Sequence, residues 1–97
     1  MDKKNMLGQL EEVARRVGIQ IRYDRIKKVE AFSTGGLCQL RGDYILIINA
    51  QAPLDDKIET VAEAVNRFDL SQVYLKPNVR EYLEKFSHNK KVPLEEE

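Results

Sequence analysis

The chain offers sparse equipment for catalysis: one histidine, one cysteine and a group of carboxylates on one short stretch. Enzymatic chemistry requires a nucleophile with a base, a bound metal, or paired carboxylates in a pocket. His88 stands where the last apolar period gives way to "SHNKKVPLEEE" and reads as a solvated side chain. Cys38 lies on an apolar alternation, where a thiol acts as a small buried hydrophobe; a reactive thiol would need exposure and cationic neighbours. One Cys and one His do not supply a conventional zinc site within one chain. Asp55, Asp56, Glu59 and Glu63 could offer oxygens to Mg²⁺ or Ca²⁺. The calcium-loop spacing is missing, however, and the solvated flank of a helix accounts for all four. No cofactor or metal is therefore expected, and Glu63 is the one candidate catalytic residue.

Two other groups could bind anions. "STGGL" has the glycines of a phosphate cradle, but the Lys-Ser/Thr ending of a nucleotide P-loop is absent, and a turn before a strand explains it. Arg22, Arg25, Lys27 and Lys28 form a basic run that could contact nucleic-acid phosphates. Tyr23 is the only aromatic among them, no nucleic-acid motif surrounds them, and a solvated face is the simpler reading. Arg41-Gly42-Asp43 spells a cell-adhesion tripeptide, which hairpin chemistry explains equally well.

The elements that must position these residues follow from periodicity. Met6, Leu7, Leu10, Val13, Ala14 and Val17 recur at three- and four-residue steps, predicting a helix over about residues 3–17 that Gly18 stops. "IQIRYD" alternates with period two and reads as a strand. "RIKKVEAF" fits a helical turn or an irregular loop. "GLCQLR" and "YILIIN" flank Gly42-Asp43, a pair suited to a two-residue hairpin loop. With that loop Leu40 faces Ile45 and Cys38 faces Ile47. One hairpin face is then wholly apolar (Cys38, Leu40, Ile45, Ile47) and is expected to meet the helices. The other mixes Leu37, Leu46 and Ile48 with Gln39, Arg41 and Tyr44. Half-covered, it is the expected dimer face, carried by Leu37, Gln39, Tyr44, Leu46 and Ile48.

Pro53, Asp55 and Asp56 suit the opening turn of the next helix, along which Leu54, Ile58, Val61, Ala62, Val65 and Phe68 make one apolar stripe. A short extended "VYL" follows. Pro77 then opens a last helix with Val79, Tyr82, Leu83 and Phe86 on its apolar side.

The segment "GGLCQLRGDYILIINAQAPLDDKIETVAEAVNRF" resembles the minimal core of bacterial zinc metallopeptidases of the IrrE/ImmA regulatory type. In that family a hairpin ending near an Asn leads into a helix bearing H-E-x-x-H. The resemblance covers about a third of the chain and rests on layout. Set on "TVAEAVNRF", it places Ala62 and Asn66 at the two histidine positions and Glu63 at the general base. It implies a metal-free relative, because neither Ala nor Asn replaces an imidazole on zinc, and a Glu without a metal-bound water has nothing to activate. The whole chain also resembles small bacterial proteins that carry no established activity.

Composition sets the outer bounds. Ninety-seven residues, 42% hydrophobic and 33% charged, make one soluble domain with a small core. Sixteen basic and sixteen acidic residues cancel, so no global field draws in nucleic acid or membrane. Residues 1–41 hold nine Lys/Arg against five Asp/Glu, and residues 42–97 hold seven against eleven, an asymmetry that permits head-to-tail or self-complementary association as readily as anion binding. No run suits a membrane helix or signal peptide, and a lone cysteine fits a reducing cytoplasm.

The expected fold is a single α+β domain over residues 1–87: an N-terminal helix, a small antiparallel sheet with a 37–49 hairpin, and two further helices. Residues 88–97 are expected to be a flexible tail. The expected function is a non-enzymatic cytoplasmic protein acting through protein contacts, as a homodimer or with a small protein partner. The alternatives are a nucleic-acid-binding module using the 22–28 segment and a metal-dependent hydrolase using Glu63.

Overall fold

The computed structural model describes residues 2–25 and 35–89. The first helix, α1 (Lys3–Arg16), is capped by Asp2, whose side chain accepts a hydrogen bond from the Lys4 amide at 3.1 Å. Its stripe places Met6, Leu10, Val13 and Ala14 in the core. The helix stops as the sequence predicts: Gly18 takes a φ of 94°, a left-handed conformation that costs glycine little.

β1 (Ile19–Asp24) follows at once, then β2 (Gly35–Leu40) and β3 (Asp43–Asn49). The sheet order is β1-β3-β2, with β3 in the centre, antiparallel to β2 and parallel to β1. The α+β class and the order of a helix, a sheet and two helices match expectation. The sheet, however, is mixed rather than antiparallel.

The hairpin loop is Arg41-Gly42, one residue earlier than Gly42-Asp43. Both residues have positive φ, 55° and 88°, as a type I′ turn demands, and Leu40 pairs with Asp43. Glycine therefore occupies the second loop position. Each pairing moves by two residues relative to the sequence reading, so that Cys38 faces Ile45 and Leu37 faces Leu46. An even shift leaves every side chain on its original face. Arginine carries a steric penalty in the left-handed region that asparagine largely escapes. Arg41→Asn should therefore stabilise the domain by about 0.5–1 kcal/mol, read as a higher midpoint in urea unfolding at unchanged slope.

The side of the sheet that meets the helices is opposite to the expected one. Leu46 and Ile48 are 1% and 0% exposed, with Leu37, Tyr44 and Ile21 packed around them. Of the expected dimer face, Leu46 and Ile48 are instead core, Leu37 and Tyr44 are packed against it, and only Gln39 is exposed. The third strand explains the reversal. Parallel pairing sets Ile19 beside Tyr44 and Ile21 beside Leu46, whereas Gln20, Arg22 and Asp24 share the side of Ile45 and Ile47. In the hairpin alone the Cys38 side looks the more apolar; across three strands the Leu46 side is.

α2 (Leu54–Val65) lies over this inner side and packs along α1. Asp55 and Asp56 occupy its first turn, and Ile58, Val61, Ala62, Ala64 and Val65 are buried. Phe68, just beyond the helix, meets Tyr44 edge to face with ring centroids 4.9 Å apart. "VYL" forms no strand. α3 (Pro77–Asn89) buries Val79 and Leu83 and carries the chain two residues past the expected end of the domain. Residues 90–97, the rest of the expected tail, lie outside the described residues, as does the ambiguous "RIKKVEAF" apart from Arg25. Among the described residues no helix is long and apolar enough to cross a membrane.

Candidate interaction surface

The residues that could do chemistry are not brought together. On α2, residues 62 and 63 lie about 100° apart around the axis. Ala62 is 0% exposed in the core, while Glu63 projects outward and forms an ion pair with Arg67 at 3.8 Å. Asn66, at the helix end, donates through Nδ2 to Ser87 Oγ at 3.1 Å. A zinc ion needs donors converging on one point, and these three positions point to core, solvent and α3. The residues present do not fit that metal. Asp55 is bound to Lys3 at 2.9 Å, and no group of three His, Cys, Asp or Glu able to hold a metal occurs among the described residues.

The basic run is equally dispersed. Arg22 is paired to Asp24 at 3.2 Å, Arg25 is exposed beyond β1, and Lys27 and Lys28 lie outside the described residues. Tyr23, beside them, turns to the helical side: its hydroxyl donates to Glu11, and Lys57 lies 5.8 Å from its ring centre. Burial first, and the bond to Glu11 second, hold this phenol well above its ordinary pKa. It is a clasp between β1, α1 and α2.

Three of the surface clefts border candidate residues. One of about 510 Å³ lies between the end of α2 and α3, with Asn66, Ser71, Arg80 and Glu84 on its walls. A second, about 400 Å³, is floored by Met6 and Ile58 and edged by Lys3, Asp55, Glu59 and Tyr82. Burial, followed by the nearby Glu59 and Asp55 carboxylates, raises the Tyr82 pKa. The third, about 150 Å³, runs between β2 and α2, where Leu37 and Gly36 face Thr60, Glu63, Ala64 and Arg67. None of the three brings a nucleophile to a base.

A different feature is coherent. The outer side of the sheet carries Cys38, Leu40, Ile45 and Ile47 as one apolar stripe, fixed by the pairing of Cys38 with Ile45. Leu40 is 57% exposed, and none of the four packs against the core cluster. Gln20, Arg22 and Asp24 on β1 form a polar border. Beside this stripe β2 is a sheet edge without charge or proline, the features that ordinarily discourage strand addition. Sequence reasoning found these residues but turned them inward. The alternation of Ile19, Ile21 and Tyr23, matched against Tyr44, Leu46 and Ile48, would have turned them outward.

The class these features define is an α+β domain in which α1 and α2 pack together against a three-stranded mixed sheet and α3 packs on α1. No protein-family model matches the chain, and no curated protein or solved structure matches it.

Proposed function

We propose that this chain is a non-enzymatic cytoplasmic protein that acts through protein contacts and works as a homodimer. The observation that carries the reading is the uncharged edge strand β2, paired only with β3 among the described residues and bordered by the apolar stripe of Cys38, Leu40, Ile45 and Ile47, which no described element covers. An apolar surface with a polar border has the composition of a protein-contact site. The burial of Ala62 supports α2 as a packing helix, which is what a metal-free relative of a zinc peptidase would retain.

Sedimentation velocity of the full chain tests the reading. A twofold mass is expected in the micromolar to high-micromolar range, dissociating on dilution. A strict monomer throughout that range would overturn it.

A further inference from the structure

We infer that two copies of this chain join edge to edge through β2, extending their sheets into one continuous sheet with both helical layers on the same side. This specifies the geometry of the proposed homodimer and rests on that reading.

Stacking the outer faces is the competing arrangement, and size weighs against it. Strands of six or seven residues, spaced about 4.8 Å apart, present a face of roughly 300 Å². Two such faces cover roughly 600 Å² in all, well below the approximately 1,200 Å² at which stable complexes begin. Edge pairing adds main-chain hydrogen bonds and brings a second layer, the helices, into contact.

The two edges of the sheet differ. β1 carries Arg22 and Asp24, and charged side chains on an edge discourage pairing. β2, "GGLCQL", carries none, and among the described residues it pairs with β3 alone. Because Leu40 and Asp43 close a two-residue hairpin as a bonded pair, the bonded and non-bonded pairs alternate back along β2. The N–H and C=O groups of Leu37 and Gln39 therefore point away from β3. Two antiparallel β2 strands can satisfy them reciprocally about a two-fold axis at Leu37 or Cys38.

The helix above this edge supports a second copy over an unrelated strand. Thr60, Glu63 and Ala64 of α2, with Arg67 just past its end, line the cleft along β2. A two-fold axis perpendicular to the sheet sets α2 antiparallel to its counterpart. Thr60, half-exposed beside the buried Ala64, is small enough for close approach, and in this arrangement Glu63 of each copy faces Arg67 of the other. A stripe bearing one acid and one base at this spacing complements itself, as an isologous interface requires.

The experiment combines three readouts on the full chain. Sedimentation establishes the mass. Amide exchange followed by NMR reports on the Leu37 and Gln39 N–H groups, which should be protected at high concentration and exchange rapidly on dilution. Charge variants report on the helices. Glu63→Arg and Arg67→Glu should each weaken association about tenfold or more, and the double swap should restore it. Both side chains are 61% exposed, so the monomer's fold should survive each change. A dimer whose Leu37 and Gln39 amides exchange freely would overturn the edge inference while leaving the homodimer reading intact. A monomer at every concentration would overturn both. Single variants that associate like the parent would overturn the contact between α2 helices.

Discussion

Ile48→Ala should cost about 2–5 kcal/mol of stability, whereas Ile47→Ala, one residue away, should cost less than about 1 kcal/mol. The contrast arises from which way each side chain turns. Ile48 is 0% exposed, in the cluster that includes Leu46, Val61 and Val65, and its truncation leaves a cavity that rigid neighbours on three elements fill only partly. Ile47 stands on the outer side, where solvent can occupy the space released. For a domain of this length each kcal/mol corresponds to roughly 4–8 °C, so the melting temperatures of the two variants should differ by roughly 5 °C or more. Thermal unfolding monitored by circular dichroism, at a concentration where the chain is monomeric, gives the comparison. Equal losses would show that the sheet faces are assigned wrongly.

Building the absent metallopeptidase motif into α2 should damage the domain instead of creating a metal centre. Ala62→His must fit an imidazole where the present side chain is a single methyl group at 0% exposure, against α1 and the sheet. Overpacking costs about 1–3 kcal/mol, and a buried ring nitrogen without a partner costs a similar amount again. Ala62→His and the double Ala62→His/Asn66→His variant should therefore each lose about 2–5 kcal/mol, with no recovery on adding zinc. Asn66→His alone, at an exposed helix end, should lose about 1 kcal/mol or less, mainly the bond to Ser87. Denaturant titrations with and without equimolar zinc separate these cases. A double variant that zinc stabilises by several kcal/mol would mean that residues 62 and 66 can converge, and would restore the peptidase-like reading of the helix.

Helices were the most legible part of the chain because each carries its own period. The stripes of α1 and α2 lie in the core or packed against it, with Ala64 added to the second, and Gly18 ends α1 where its chemistry requires. The sheet was legible only in pieces. A hairpin's local pattern reveals which side chains share a face, and that partition survived even a displaced turn. It does not reveal which face is covered, because that depends on a strand from elsewhere. Here Gln20, Arg22 and Asp24, joined in parallel to β3, outweigh the four apolar residues of the hairpin's outer side. The placement of Glu63 was legible from its helical phase: at four- and three-residue steps it shares the flank of Asp55, Glu59 and Asn66, away from the apolar stripe. The stripe of Thr60, Glu63, Ala64 and Arg67 was not, because it lies between the apolar and charged sides and gains meaning only from the strand beside it.

The placement of β3 between its two neighbours also sets how unevenly the chain pays for its topology. Closing the hairpin fixes a loop of two residues, but each β1–β3 pair joins positions twenty-five apart in the chain, such as Ile19 and Tyr44. Loop-closure entropy grows by only about 0.6 kcal/mol for each doubling of length, yet the whole of it must be recovered by what the closure buries. Burial of Ile19 and partial burial of Ile21 against the helices offset that cost. The first strand is thus held by its side chains more than by proximity, and its pairing is the least local within the sheet.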